Sequence, residues 1–212
     1  ELPALVESIR NETPLPGHDP EVLRNYEVRN PNGPYSPSPL HSPIIYVAPH
    51  VPVNTRALGI DMMQEATRRE AMLASLASGD VVLSPRLQLS GLTDRQAGFI
   101  AYLAVKRGDR HIGWLTAAFL ARDFMAGPPG LTGGPLQFEV YDATDARPEG
   151  LLYSTRGLAP DGDALPLQLG KPADASRLIE LSGRQWRVKF WRSDDFSPVI
   201  EAAAPWGVAI AG

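Results

Sequence analysis

The segment Phe99-Ile-Ala-Tyr-Leu-Ala-Val-Lys-Arg-Gly-Asp-Arg-His-Ile-Gly-Trp-Leu-Thr-Ala-Ala-Phe119 carries the strongest structural signal in this chain. It contains two apolar runs, Phe99 to Val105 and Ile112 to Phe119, and the turn-forming Arg107-Gly108-Asp109 lies between them. Apolar runs of strand length on either side of a glycine-containing turn are typical of a β-hairpin. The segment therefore predicts two antiparallel strands joined by a tight turn.

The sequence before this hairpin predicts a strand, a helix and a second strand. Ile44 to Val47 is a β-branched and aromatic run that Pro49 closes, which is typical of a strand. Residues 62–78 have helical spacing, and Gly79 stands where a left-handed C-terminal cap belongs. Val81 to Leu83 follows as another strand. The predicted apolar face of the helix contains Met62, Ala66, Leu73, Leu76 and Ala77. One helix that leads into an antiparallel sheet is an α+β arrangement of the PAS type.

The flanking segments extend this plan. Residues 1–12 have helical spacing and predict the end of a longer helix, residues 13–43 are rich in proline and predict loop, and residues 120–127 predict a short helix. Further on, alternation from Leu136 to Val140 predicts a strand with Leu151 to Tyr153 as its partner. A hairpin follows, with Gly183-Arg184 at its turn. These strands predict a second, small sheet.

Composition excludes several classes of function. The 212 residues suffice for one large or two small domains with a real core. A net charge of −4, without any run of Lys or Arg, argues against nucleic acid as a partner. The chain has no cysteine, which removes disulfides, thiolate nucleophiles and cysteine-based zinc sites.

The sequence contains no pattern typical of an active site. None of the four histidines pairs with another His or a carboxylate at i, i+4 ligand spacing, and a Gly-x-Ser-x-Gly elbow is absent. Gly130-Leu-Thr-Gly133-Gly134 lacks the lysine of a phosphate-binding loop. Asp142, Asp145 and Asp161-Gly-Asp163 stand in turn contexts, where Asp is common for backbone reasons. We therefore expect no enzyme activity, no catalytic residue, no metal and no cofactor.

The last residues, Ala202 to Gly212, are apolar. Trp206 near the front of this run is typical of an interfacial anchor where a transmembrane helix begins. An apolar terminal strand or helix packed on the core explains the same residues equally well. The tail alone leaves both interpretations open.

An ordered set of short motifs runs through the predicted helix and hairpin. The set contains Tyr46-Val-Ala-Pro49, Asn54, Ala57-Leu-Gly59-Ile-Asp61, Arg68-Arg69-x-Ala71, Gly79, Ser84, Gly98, Tyr102-Leu-Ala-Val105 and Gly113-Trp-Leu-Thr-Ala-Ala-Phe119. This order resembles the CHASE domain, the extracellular sensor of plant cytokinin receptor kinases and of many bacterial histidine kinases and diguanylate cyclases. Tyr141-Asp142, Leu152-Tyr153 and Gly183-Arg-x-Trp186 resemble later strands of that family, so the resemblance covers about residues 40–192.

The resemblance implies a domain organisation and a location. Residues 1–12 would end a stalk helix, 13–127 would form a membrane-distal PAS-like subdomain that binds ligand, and 128–201 a membrane-proximal one. Residues 202–212 would lead into a transmembrane helix. The domain would then be the periplasmic or extracellular part of an inner-membrane receptor, a histidine kinase or diguanylate cyclase. Family members commonly form homodimers through the stalk helix.

The resemblance also implies a site for a small ligand, with cytokinin or another adenine-like compound as a candidate. In cytokinin receptors the Asp of a Leu-Asp-Met-Met stretch accepts hydrogen bonds from the adenine ring, and Ile60-Asp61-Met62-Met63 is similar. Asp61 also fits a capping box, in which its side chain accepts from the N–H of Gln64. The two roles are compatible, because one carboxylate oxygen can cap while the other binds.

Five further residues are candidates through the same resemblance: Leu83, Thr93, Tyr102, Thr116 and Ala117. Leu83 would contribute its backbone donor and acceptor, and Thr93 would contact the ligand tail. Tyr102, Thr116 and Ala117 would line the floor of the pocket, with ordinary inward-facing core as the other interpretation. The chain departs from the plant pattern at Tyr102-Leu-Ala-Val105, where plant members have Phe-Pro-Val-Tyr. A second class of function, a peptide- or protein-binding or dimerisation module without a small ligand, stays open.

Overall fold

The computed structural model describes residues 2–13, 20–30, 33–36, 39–90, 95–125, 136–143, 146–168 and 170–192. Within these ranges the helices are α1 (Leu2–Arg10), α2 (Pro20–Arg24), α3 (Pro52–Thr55), α4 (Ala66–Ser78) and α5 (Ala121–Met125). The strands are β1 (Val82–Leu83), β2 (Leu87–Ser90), β3 (Arg95–Arg107), β4 (Arg110–Leu120), β5 (Leu136–Tyr141), β6 (Leu151–Ser154), β7 (Ala175–Leu181) and β8 (Arg184–Arg192). Helices and antiparallel sheets confirm the α+β class, and α1 confirms the N-terminal helix.

The first sheet is built around the long strand β3. β4 pairs with one side of β3, and β1 and β2 pair with the other side, all antiparallel. The predicted hairpin is confirmed, with a turn at Gly108, whose φ of 61° lies in the left-handed region. In this register Tyr102 stands opposite Thr116, and Ala101 stands opposite Ala117.

The second sheet has the strand order β6-β5-β8-β7, again antiparallel. Leu151 to Ser154 returns beside β5 as predicted, and β7 and β8 form the predicted hairpin. The two turn residues of that hairpin, Ser182 and Gly183, have φ of 45° and 80°. A pair of left-handed residues matches the twist of the strands that they join.

Helix α4 corrects the predicted helix over residues 62–78 at its start. Met62–Gln64 forms a separate 3₁₀ turn, and α4 begins after Glu65, which has an extended backbone with φ −106° and ψ 125°. The Glu65 carboxylate accepts hydrogen bonds from the N–H groups of Thr67 and Arg68, both at 3.0 Å. A side chain that caps the first turn in this way fixes a helix start. The predicted cap at Gly79 is confirmed, with φ 78°.

The predicted apolar face of this helix is confirmed at Met62, which is buried in the 3₁₀ turn, and is wrong at Ala66, Leu73 and Ala77, which are exposed. The side chains that α4 buries are Ala71, Met72 and Ser75, whereas Leu73 is 43% exposed. The prediction assumed one continuous helix from Met62, and the break at Glu65 removes that continuity. Packing against β3 therefore selects a different stripe of the helix.

Two other predictions need correction. Ile44 to Val47 forms no regular strand, although the Ile44 backbone exchanges one pair of hydrogen bonds with Gly59 and Ile60, at 2.8 and 3.0 Å. That partner segment is too short to continue a ladder. The predicted loop 13–43 contains α2, which begins at Pro20, a residue suited to the first helical position. Its Val22 and Leu23 pack against a small cluster of Ile9, Tyr26 and Leu58.

Strand β3 contributes to two hydrophobic clusters, because neighbouring residues of a strand point to opposite faces. The inter-sheet cluster consists of Leu83, Phe99, Ala121, Val140, Leu152, Tyr153, Trp186 and Val188. The helix-facing cluster consists of Met62, Met63, Ala71, Met72, Leu89, Ile100 and Tyr102. The first cluster joins the two sheets and the second joins α4 to the first sheet. Whether each sheet is a PAS-like subdomain stays a prediction.

Candidate functional site

Tyr102 lies in the helix-facing cluster, and its side chain is completely buried. Its hydroxyl has no hydrogen-bond partner among the described residues. Burial raises the pKa of Tyr102 well above its ordinary value, while Arg68 acts in the lowering direction and Glu65 in the raising direction. A buried hydroxyl without a partner costs about 1–3 kcal/mol, so Tyr102 is an unsatisfied polar group inside this cluster.

Thr116 and Ala117 are both exposed on β4, so neither belongs to the core. Thr116 stands directly opposite Tyr102 and shares its face of the sheet. The same face carries Trp114, whose indole Nε1 donates to the Met72 carbonyl on α4 at 3.0 Å. Ala117 points to the opposite face, since successive strand residues alternate. The structure therefore brings Thr116 beside Tyr102 and separates Ala117 from both.

Arg68 and Glu65 lie at the start of α4, and both act electrostatically on Tyr102. Their side chains are 15% and 19% exposed, and the Arg68 Nε lies 3.6 Å from the Glu65 carboxylate. The Arg68 Nη1 donates to the sulfur of Met62 at 3.1 Å. A thioether is a weak acceptor. In the sequence Arg68 belongs to a family motif and to the polar face of the predicted helix, and no local pattern indicates its burial beside a strand residue.

Asp61 is completely buried and accepts four hydrogen bonds. Its Oδ1 accepts from the N–H groups of Ser42 and Met63 at 2.8 and 3.1 Å. Its Oδ2 accepts from the Tyr35 hydroxyl and from the His41 Nδ1, both at 3.0 Å. Two oxygens with about four lone-pair positions are then fully used within the protein. A ligand could bond to Asp61 only by replacing one of these donors.

The pKa of Asp61 reflects this arrangement. Burial by itself raises that pKa, but the hydrogen bonds from Ser42, His41, Met63 and Tyr35 together outweigh it and lower the pKa below its ordinary value of 3.8. The carboxylate is therefore held ionised. The Tyr35 hydroxyl also lies 2.6 Å from the His41 Nδ1, so Tyr35, His41 and Asp61 form one connected polar cluster.

The predicted capping box at Asp61 forms in a different way. The Asp61 side chain accepts from Met63, not from Gln64, because the turn that follows is a tight 3₁₀ turn. The Gln64 side chain instead bonds the backbone N–H and carbonyl of Ser36 at 3.0 and 2.9 Å. The predicted bond from the Gln64 N–H is therefore wrong, and Asp61 caps the turn through Met63 while it also holds the segments at Tyr35 and His41. Its role in binding a ligand stays a prediction.

Leu83 is a buried member of the inter-sheet cluster. Its backbone N–H donates to the carbonyl of Ser182 in the β7–β8 turn at 2.9 Å. The donor expected to meet a ligand is thus already bonded to the second sheet. Thr93, the other residue carried over for ligand contact, lies outside the described residues.

Asp142 forms a buried polar junction that the sequence did not indicate. It accepts two hydrogen bonds from the Arg184 guanidinium at 2.8 and 2.9 Å, and one from the backbone N–H of Arg86 at 2.6 Å. The Arg86 side chain bonds the Leu151 carbonyl at 3.0 Å and forms an ion pair with Asp163. The expectation that Asp serves only its own turn holds for Asp161, which accepts from the Asp163 N–H at 3.2 Å, but not for Asp142.

The described ranges contain neither a cluster of metal ligands nor a membrane-spanning helix. No three His, Asp or Glu side chains there are grouped so that they could hold a metal ion. No helix in those ranges combines the length and the apolar character that crossing a membrane requires.

The comparison with protein families gives one match, the CHASE domain, over residues 3–153. A match over more than half of the chain places it in a class of sensory domains. The chain belongs to the CHASE domain family. CHASE domains are extracellular sensor domains of signalling receptors and are not catalytic. No curated protein matches the chain.

Proposed function

We propose that this CHASE domain binds a small molecule on the α4 side of the first sheet and reports it across a membrane. The supporting observation is the Tyr102 hydroxyl, which is completely buried and lacks a partner among the described residues. Buried polar groups in folded proteins are normally satisfied. A ligand atom that bonds this hydroxyl would remove the penalty of the unsatisfied group.

The exposed Thr116 gives such a ligand a route to this position. Tyr102 and Thr116 are cross-strand neighbours on one face, and only Tyr102 is covered by α4. The boundary between covered and open sheet therefore runs between these two residues. A molecule that rests on the open part, against the Thr116 side chain, would extend its polar end toward the hydroxyl.

Transmission would use β3, which takes part in both clusters. A ligand that shifts the packing of Ile100 and Tyr102 would also shift Phe99 on the opposite face, whose ring lies 5.0 Å from that of Trp186 in the second sheet. In this proposal residues 128–201 are the membrane-proximal part, and α1 belongs to a stalk through which two copies pair. The full receptor would be a histidine kinase or diguanylate cyclase of the bacterial inner membrane, with this domain in the periplasm. Signalling requires that the ligand prefer one of two packings.

Asp61 has a supporting role in this proposal. It holds the loops at Tyr35 and His41 against the start of the 3₁₀ turn that leads to α4. An adenine-like ligand would contact Asp61 only if its N–H groups replaced one of those two donors. That arrangement is the alternative binding mode, in which Asp61 and not Tyr102 is essential for binding the ligand.

Thermal denaturation with a panel of candidate ligands tests the proposal. The panel contains adenine, isopentenyladenine, adenosine and pairs of small carboxylic acids and their amides. A ligand at 100 times its Kd stabilises the protein by about 2.7 kcal/mol. We expect at least one compound to do so, and Tyr102→Phe to reduce its effect, whereas Tyr46→Phe, at a half-exposed tyrosine, should leave the effect intact.

The alternative mode predicts the opposite pattern. If Asp61→Asn removes the ligand effect and Tyr102→Phe does not, the ligand binds at Asp61. If no compound in the panel stabilises the protein, the small-ligand proposal fails, and a protein-binding or dimerisation module becomes the better interpretation.

A further inference from the structure

We propose that the ligand carries a carboxylate, which the guanidinium of Arg68 and the hydroxyl of Tyr102 bind together. This inference rests on the proposed function and names the chemical class of the ligand. It depends on two polar groups beside Met62: the Arg68 Nη1 donates to the Met62 sulfur at 3.1 Å, and Tyr102 belongs to the same helix-facing cluster as Met62. Nothing in the sequence motif that contains Arg68 indicates such a role.

Arg68 is a mostly buried cation whose Nε and Nη1 lack a strong hydrogen-bond acceptor among the described residues. Its side chain is 15% exposed. Its Nε has no hydrogen-bond partner among the described residues, and its Nη1 meets only the weakly accepting sulfur of Met62 at 3.1 Å. A guanidinium has five N–H donors arranged to match a carboxylate. A buried guanidinium is stabilised by a strong acceptor nearby. Among the described residues, Arg68 has only the Met62 sulfur and the Glu65 carboxylate at 3.6 Å.

Glu65 is the nearest described anion, and it is mainly occupied elsewhere. Its two oxygens each accept a backbone N–H of α4, from Thr67 and Arg68 at 3.0 Å. Its distance of 3.6 Å from the Arg68 Nε exceeds that of a good hydrogen bond. Glu65 therefore acts mainly as the helix cap, and its interaction with Arg68 is the weaker of the two. Its charge also disfavours a doubly charged ligand, which selects a carboxylate over a phosphate.

Tyr102 supplies the second, independent observation. Its hydroxyl is completely buried, has no partner among the described residues, and lies within electrostatic reach of Arg68 and Glu65. The two groups nearest a ligand would then both be donors, one of them charged. A carboxylate accepts on both oxygens and bonds to charged donors more strongly than to neutral ones. A neutral ring edge would leave the guanidinium without a counter-charge.

The test compares acids with their amides. Acetate, benzoate, phenylacetate and indole-3-acetate are titrated against acetamide, benzamide, phenylacetamide and indole-3-acetamide, with phenyl phosphate as a doubly charged probe. Binding is followed by calorimetry and by thermal denaturation. We expect an acid to bind at least ten times more tightly than its amide and than phenyl phosphate. Arg68→Gln and Tyr102→Phe should each weaken that acid roughly 10- to 100-fold, the range for hydrogen bonds to charged groups.

Two further variants keep the result interpretable. Arg68→Lys retains the charge without the planar fork and should weaken binding less than Arg68→Gln. Arg107→Gln removes an exposed arginine at the hairpin turn and should leave acid binding unchanged. Circular dichroism establishes that each variant is folded.

The outcomes separate this inference from the proposed function. If an amide or adenine binds as tightly as any acid, or if Arg68→Gln binds the acid normally, the carboxylate inference is wrong while a ligand site at Tyr102 stands. If none of the acids, amides or adenine compounds binds, both proposals fail.

Discussion

The guanidinium of Arg184 donates two hydrogen bonds to a single oxygen of Asp142, from Nε at 2.9 Å and from Nη2 at 2.8 Å. The other oxygen accepts from the backbone N–H of Arg86 at 2.6 Å. Arg86 lies between β1 and β2 of the first sheet, whereas Arg184 begins β8 of the second. The Asp142 carboxylate therefore joins the two sheets, so we expect substitutions of Asp142 to lower the stability of the domain.

Asp142→Ala should strongly destabilise the domain. Asp142 is 8% exposed, and its loss leaves the Arg86 N–H and the 28% exposed Arg184 guanidinium without their acceptor, at a cost of about 1–3 kcal/mol for each unsatisfied group. Urea denaturation would measure the loss. The exposed pair Arg122–Asp123 is the matched control, since its side chains are 51% and 62% exposed and Asp123→Ala should cost less than about 1 kcal/mol. Equal effects of the two substitutions would contradict the assignment of Asp142 as a junction.

Asp61 should make stability depend on pH in acid. Its pKa in the folded protein lies below the ordinary value of 3.8, so the unfolded chain binds the proton more tightly. The stabilisation by the ionised group is then fully present above about pH 5 and is lost as the pH falls through the folded pKa. Asp61→Asn should be less stable than the parent at pH 7, and the difference should shrink toward pH 2. A difference that stays constant over this range would show that the charge is not responsible.

Tyr102→Phe should not destabilise the free domain. The substitution removes a hydroxyl that has no partner among the described residues and keeps the ring that fills the helix-facing cluster. The free energy of unfolding should stay equal or rise by up to about 1 kcal/mol, since the penalty of an unsatisfied group disappears. Tyr26→Phe is the contrast, because the Tyr26 hydroxyl donates to the Ile44 carbonyl at 3.0 Å, and its loss should cost about 1 kcal/mol. If Tyr102→Phe lowers the free energy of unfolding as much as Tyr26→Phe does, the Tyr102 hydroxyl has a hydrogen-bond partner in the free domain.

Two glycines should respond very differently to alanine. A Cβ at Gly98 would overlap the Phe119 carbonyl and lie 2.6 Å from the Leu89 side chain, so Gly98→Ala must push β3 away from its neighbours. A Cβ at Gly79 would meet nothing within 4 Å, and only the left-handed φ of 78° is strained. Gly79→Ala should therefore cost about 1 kcal/mol. Gly98→Ala should cost more than about 3 kcal/mol or prevent folding, as thermal denaturation and soluble yield would show.

Local sequence predicted the elements whose causes are local. The β3–β4 hairpin follows from two apolar runs around Gly108, and the end of α4 follows from Gly79. The buried face of α4 could not be predicted in the same way, because the cap at Glu65 sets where the helix begins and packing on β3 sets its orientation. Ile44 to Val47 has strand character, yet it lacks a partner long enough to form a ladder.

The candidate site was predicted only in part, because its contacts join residues that are distant in the chain. The family resemblance pointed to Asp61, but not to Tyr35 and His41, which lie 26 and 20 residues earlier. It pointed to Tyr102, but a lone hydroxyl can be recognised only once its surroundings are known. The Arg184–Asp142 pair spans 42 residues, so no spacing rule could relate its members.

The hydrogen bond from the Leu83 N–H to the Ser182 carbonyl also bears on how the domain unfolds. β1 is only two residues long, yet it is held by β3 on one side and by the β7–β8 turn on the other. Neither sheet can open at this strand without releasing the other, so the two should melt as one cooperative unit instead of two foldons. Amide exchange at Leu83 should then require global opening, and the protection of both sheets should vanish together.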